Sequence, residues 1–174
     1  MPRFITLKIQ LTQTTISVSV IDQQNKQEEY IELIPGIKEY PINIEFNKNE
    51  IIVCQQNELN ENTFTNILID LFDYPDQFTK YSFIYQEKQF EVLPETLLTL
   101  IVYQFKKKVD QKGIVNNFIL ETPNGTNPEI IHRIKSALYN INIPNEFTPI
   151  TESYMIRPRE DFYVDEEYLV FEII

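Results

Sequence analysis

Phe4-Ile5-Thr6-Leu7-Lys8-Ile9-Gln10-Leu11, then Thr12-Gln13-Thr14-Thr15, then Ile16-Ser17-Val18-Ser19-Val20: this run decides the fold class. Apolar and polar side chains alternate in both arms, the period of a strand with one buried face. The polar break at Thr12-Gln13-Thr14 predicts that the arms pair as a hairpin. A chain that opens this way begins a sheet.

Outward from the hairpin, Asp22 to Lys26 is a polar turn, and residues 29–34 form a third strand candidate that stops at Pro35-Gly36. Two shorter strands follow at 42–46 and 50–55, separated by Asn47-Lys48-Asn49, a turn composition. Residues 60–73 read as a helix, with Phe64, Ile67, Leu68 and Leu71 at helical spacing and Asn62 or Thr63 as its cap. Residues 81–85 and 89–93 read as a hairpin around Gln86-Glu87-Lys88. Pro94 opens the clearest helix, with Leu97, Leu98, Ile101, Phe105 and Val109 on one face. Lys106, Lys107 and Lys108 fall near its C-terminal end, where they complement the helix dipole on a solvated face.

Residues 114–120 form a strongly apolar strand. Asn127-Pro128-Glu129 supplies a capping side chain, a proline at the first position and an acid in the first turn. The helix it opens should bury Ile130, Ile131, Ile134 and Leu138 and end near Asn140. A further strand is expected at 147–151, and the charged stretch 157–167 should be exposed. The chain closes on Tyr168-Leu169-Val170-Phe171-Glu172-Ile173-Ile174, apolar on both faces except at Glu172. A strand covered on both sides is expected there. It would pair with an edge of the same molecule or with a second copy, giving a homodimer through Tyr168, Leu169, Val170 and Phe171.

Composition narrows the function. With 43% hydrophobic residues over 174 positions, the chain can bury a real core, so disorder is not expected for most of it. Net charge is −11, a field that repels phosphate backbones and argues against a nucleic-acid partner. Its single cysteine, Cys54, lies in an apolar run and reads as a small buried hydrophobe in a reducing compartment. Met-Pro-Arg-Phe-Ile has no signal-peptide character, and no apolar run approaches a membrane span. A cytoplasmic protein without membrane contact is the expectation.

Chemistry-bearing patterns are scarce. The one histidine, His132, rules out sites needing two imidazoles. A Cys54–His132 nucleophile pair is disfavoured by the apolar setting of Cys54. Three glycines, Gly36, Gly113 and Gly125, cannot make a glycine-rich phosphate loop. Acid pairs such as Glu160-Asp161 and Glu166-Glu167 carry no information in a chain with 26 acids.

Several stretches match known motifs in order. Leu7 to Val20 is similar to a first hairpin of pattern apolar-Gly-Ile-Asp-Leu-Gly-Thr-Thr followed by a second strand. The helix opened by Pro94 is similar to one beginning Pro-Glu-Glu, and 114–123 to a strand ending Val-Pro-Ala. The 127–140 helix is similar to one that begins with Asp and carries an Arg. Thr151-Glu152-Ser153 stands where that pattern has Asn-Glu-Pro. Leu169-Val170-Phe171-Glu172 is similar to the strand of a second phosphate motif, Phe-Asp-Leu-Gly-Gly-Gly. In this order, over nearly the whole chain, the elements resemble the N-terminal half of the ATPase domain of the seventy-kilodalton heat-shock chaperones, members of the actin-like superfamily.

The resemblance implies an α/β fold, an actin-like (ribonuclease-H-like) mixed sheet with helices. Residues 1–35 and 93–174 would form the main subdomain, and 36–92 a smaller inserted one. It also implies a nucleotide site whose residues are altered here. Gln10 stands for the aspartate that helps hold hydrated magnesium, and Thr12 for a glycine that lets backbone amides reach phosphate. Gln13 replaces one of two threonines and Thr14 keeps the other. Leu68 is the nearest counterpart of the catalytic lysine. Glu152 and Glu172 fall at the remaining vestigial positions, and the second lobe is not in this chain. These departures point to a pseudo-ATPase with no catalytic residues, without ATP, magnesium or another metal, acting as an interaction or regulatory module for a protein partner. The alternatives are an ATP-binding chaperone fragment whose second lobe lies elsewhere and an unrelated small α/β adaptor. A titration with magnesium and ATP separates the first of these from the leading reading.

Overall fold

β1 (Phe4–Leu11) and β2 (Thr15–Asp22) form the expected hairpin, antiparallel from Ile5 opposite Asp22 to Leu11 opposite Ile16. The alternation does what its chemistry requires: Ile5, Leu7, Ile9, Ile16, Val18 and Val20 are fully buried on one face. Lys8 and Gln10 are half-buried on the other. The computed structural model describes residues 2–56, 59–73, 79–139 and 155–156. The expected strands at 147–151 and 168–174, the charged stretch 157–167, Glu152, Glu172 and the dimerising Tyr168–Phe171 segment lie outside these residues.

β3 (Glu28–Tyr30) is antiparallel to β2 and shorter than the sequence suggests. Its ladder ends because the amides of Leu33 and Ile34 donate to the Tyr40 hydroxyl, at 2.8 and 3.0 Å, and not to a strand. β4 (Glu39–Pro41), three residues that no periodicity marks, then pairs with Thr15–Ser17 of β2. β10 (Ile114–Glu121) lies parallel to β1 on its other side, and β11 (Met155–Ile156) is antiparallel to β10. The sheet order is β11-β10-β1-β2-β3, with β4 sharing the outer edge of β2. β1 and β10 approach so closely at their starts that a Cβ on Gly113 would sit 2.5 Å from the Arg3 carbonyl oxygen.

α2 (Pro94–Val109) and α3 (Pro128–Tyr139) pack into the core with the apolar face of β1 and β2. Leu97, Leu98, Ile101, Phe105 and Val109 are all fully buried, as their spacing predicts. Asn127 caps α3, its side-chain oxygen accepting from the Glu129 amide at 2.8 Å. Two details differ from the periodicity. Ile131 is only half-buried, because the buried face of α3 runs through Ile130, Ile134, Ala137 and Leu138. Lys106 is not on the solvated face: it is 4% exposed, with its ammonium bonded to Asp110 one turn on at 3.0 Å.

Between β4 and α2 the chain forms a three-stranded sheet, β6-β5-β7, from β5 (Asn43–Phe46), β6 (Ile51–Val53) and β7 (Thr63–Thr65). The 60–73 helix is therefore corrected. Its first part is strand β7, and only α1 (Ile67–Asp73) is helical. Thr63-Phe64-Thr65 is β-favouring, and Phe64 packs edge-on to Phe46 and Tyr81, at 6.2 and 5.3 Å between ring centres. Asn66, in the left-handed region at φ 57°, separates the two elements. Neither Asn62 nor Thr63 caps the helix. β8 (Tyr81–Tyr85) and β9 (Lys88–Val92) hairpin as expected around Gln86-Glu87, both at positive φ, and Phe83 stacks on Phe46 at 3.7 Å. Ile44, Phe46, Leu68 and Leu71 join the same hydrophobic cluster as Ile5 and Phe105. The protein is a mixed α/β structure in which residues 36–92 share the core of the main sheet. No helix among the described residues is long and apolar enough to cross a membrane.

Candidate functional site

The hairpin brings Gln10, Thr12, Gln13 and Thr14 together where β1 turns into β2. A short turn needs local acceptors for its amides, and Thr12 supplies one from its own side chain. Its hydroxyl oxygen accepts from the amides of Thr14 (3.2 Å) and Thr15 (2.9 Å), and lies 2.7 Å from the Thr15 hydroxyl. The Thr12 amide in turn donates to the Thr15 carbonyl at 3.0 Å. Glycine at this position would leave those amides for a ligand; the threonine hydroxyl occupies two of them. Thr14 contributes through its main chain, its carbonyl accepting from the Ile42 amide at 2.9 Å.

Gln10 is held across the sheet. Parallel pairing sets it beside Glu121 at the end of β10, and its side-chain amide donates to Glu121 Oε2 at 2.7 Å. A carboxylate at this position would face Glu121 as a like charge, whereas the amide satisfies it. On the same face of β1, the Lys8 ammonium lies 3.5 Å from Glu121 and 3.5 Å from Glu28. Burial works to lower the Lys8 pKa, but the two carboxylates outweigh it and hold the group above the ordinary lysine value. Its charge is thus committed between two acids. Gln13 reaches Asp73, the last residue of α1, with Nε2 at 3.4 Å from Oδ1.

Leu68 is carried by the same short helix and is fully buried in the core. The position matched to a catalytic lysine is therefore packed among core hydrocarbon. Glu152 and Glu172 lie outside the described residues. A magnesium-bound nucleotide needs a carboxylate, open turn amides and a cation, and Gln10, Thr12 and Leu68 supply none of these. These residues do not fit that group. Among the described residues no cluster of three or more His, Cys, Asp or Glu side chains could hold a metal.

The Cys54 and His132 side chains have no common setting. Cys54 follows β6, is 2% exposed, and burial pushes its thiol up to about 12, away from the thiolate that a nucleophile requires. His132 is on the exposed side of α3. Sequence reasoning missed the partners: Glu121 for Gln10, Asp73 for Gln13, and the buried pair of Glu95 with Arg133. That pair joins the start of α2 to the middle of α3. Arg133 Nη2 donates to Glu95 Oε1 at 3.0 Å and stands 2.7 Å from Oε2. Both residues sat inside quoted motifs, which was the available signal. No protein-family pattern matches the sequence, and no curated protein is significantly similar to it.

Proposed function

We propose that this chain is a noncatalytic interaction or regulatory module built on a chaperone-type, actin-like half-domain. The observation that carries the reading is the hairpin turn, where the Thr12 hydroxyl takes the amides of Thr14 and Thr15. Gln10 bound to Glu121 and Leu68 sunk in the core add to it. The order of elements supports the actin-like assignment: hairpin, third antiparallel strand, intervening small sheet, helix, parallel strand, helix. Its work is then protein binding, in the cytoplasm, with the catalytic positions given over to structure.

Isothermal titration with Mg-ATP and with Mg-ADP tests this, paired with an assay of phosphate release. No heat of binding at millimolar nucleotide and no release above buffer are expected. Saturable binding would instead favour the reading as an ATP-binding fragment. One observation favours the unrelated α/β adaptor. β11 runs antiparallel to β10, whereas a strand returning directly from α3 to the same sheet would be parallel.

A further inference from the structure

Among the described residues the main sheet ends at β3, with no further strand on its outer edge. The Ile31 amide donates to the Val18 carbonyl at 2.8 Å, and the Asp22 amide donates to the Gln27 carbonyl at 2.9 Å. Bonded and non-bonded pairs alternate along an antiparallel ladder. Glu29 therefore spends its main-chain groups on Val20, and the N–H and C=O groups of Glu28 and Tyr30 point away from β2. They open onto a groove of about 560 Å³ between Lys38 on one side and Lys108 and Lys112, from the end of α2, on the other. An unpaired edge of this kind is a template for a further strand.

Charge selects the occupant. Every carboxylate at the groove is engaged: Glu28 by the Ser19 hydroxyl and Lys8, Glu29 by Lys112 at 2.6 Å, and Glu32 by the Gly36 amide at 2.9 Å. Two ammonium groups are not matched to a carboxylate among the described residues. Lys108 donates to the neutral Glu32 carbonyl at 2.8 Å, and Lys38 stands 5.3 Å over the Tyr30 ring. A second copy fits poorly. Antiparallel pairing centred on Tyr30 sets Glu28 against Glu32 of the copy, and pairing centred on Glu29 sets the two Glu29 side chains together. Like charges directly opposite are destabilising.

We propose that the β3 edge docks an extended acidic segment of a partner protein. The segment adds as an antiparallel strand, bonding to the main chain of Glu28 and Tyr30 and setting acidic side chains on Lys38 and Lys108. This rests on the reading of the chain as an interaction module and gives that module its binding surface.

The probe is a fluorescein-labelled peptide in which adjacent aspartates between valines present carboxylates on both faces of the added strand, titrated at low salt and followed by anisotropy. Two control peptides accompany it, one N-methylated at alternate amides and one with lysine for aspartate. Saturable binding is expected, weakened by about tenfold or more in a Lys38→Glu/Lys108→Glu variant, the equivalent of 1.4 kcal/mol. Binding should be lost to both control peptides. Tyr30→Pro removes the outward-facing amide, together with the ring under Lys38, and should abolish binding; the N-methylated peptide tests the main-chain bonds alone on the unaltered protein. In a nitrogen–proton correlation spectrum the shifts should concentrate at residues 28–32. Absence of saturable binding at millimolar peptide, or equal binding of the control peptides, would overturn the proposal. Mg-ATP in a parallel titration separates the two claims. Nucleotide binding sinks the noncatalytic reading, while a silent peptide with silent nucleotide sinks only the groove.

Discussion

The Tyr40 hydroxyl organises the loop that leaves β3. It accepts from the Leu33 and Ile34 amides and donates to the Ile37 carbonyl at 2.6 Å, while its ring meets Phe105 edge-on at 5.4 Å. Tyr40→Phe keeps the ring and leaves two amides without an acceptor, so it should cost about 1–3 kcal/mol, read from the urea midpoint. An unchanged midpoint would mean the loop re-forms its bonds with water. Asp22 gives a test in pH. The Arg3 guanidinium, bonded at 2.7 Å, and the amides of Gln24 and Asn25 hold its carboxyl below the ordinary carboxylate value. A folded pKa below the unfolded one contributes stability above the unfolded value and loses it as pH falls through the folded one. Asp22→Asn should therefore flatten the acid side of a melting-temperature profile and leave its shape near neutrality unchanged. An acid limb as steep as the parent's would remove Asp22 from the account.

At the scale of elements, α2 is the piece that holds the sheet to the rest of the core. Phe105 is fully buried, and Phe105→Ala should destabilise by about 3–5 kcal/mol in chemical denaturation. A variant melting like the parent would place this face of α2 outside the core. The Glu95–Arg133 pair between α2 and α3 makes a sharper test. Burial pushes the Glu95 carboxyl up, and the Arg133 guanidinium opposes it. Arg133→Met strands that carboxylate and should cost about 3–5 kcal/mol, whereas Glu95→Leu with Arg133→Met together should be neutral or better. Additive losses in the double variant would contradict this. The elements legible in the sequence were those with a clear apolar period or an apolar run bounded by turn residues: β1, β2, β5, β6, β8, β9, β10, α2 and α3. β7 was hidden because Phe64 sits at helical spacing from Leu68 and Leu71, and only Phe46 and Tyr81, distant in sequence, draw it into a sheet. β4 was hidden because three residues have no period. Gln10 and Thr12 were legible as departures from a motif. Their engagement with Glu121 and with the turn amides depends on strand register and hydroxyl geometry, which a sequence does not carry.

For the whole molecule, the polar face of the main sheet sets the account. Lys8, Gln10, Glu28 and Glu121 are tied to one another across three strands, so these polar groups are internally satisfied. A single experiment reaches this claim most directly, a thermal melt of the full chain with and without saturating Mg-ATP. A ligand present at 100 times its Kd stabilises the native state by about 2.7 kcal/mol, which for a chain of this size raises the melting temperature by roughly 5–10 °C. The account predicts superimposable melts with and without nucleotide. A rise of several degrees that needs both magnesium and ATP would contradict it.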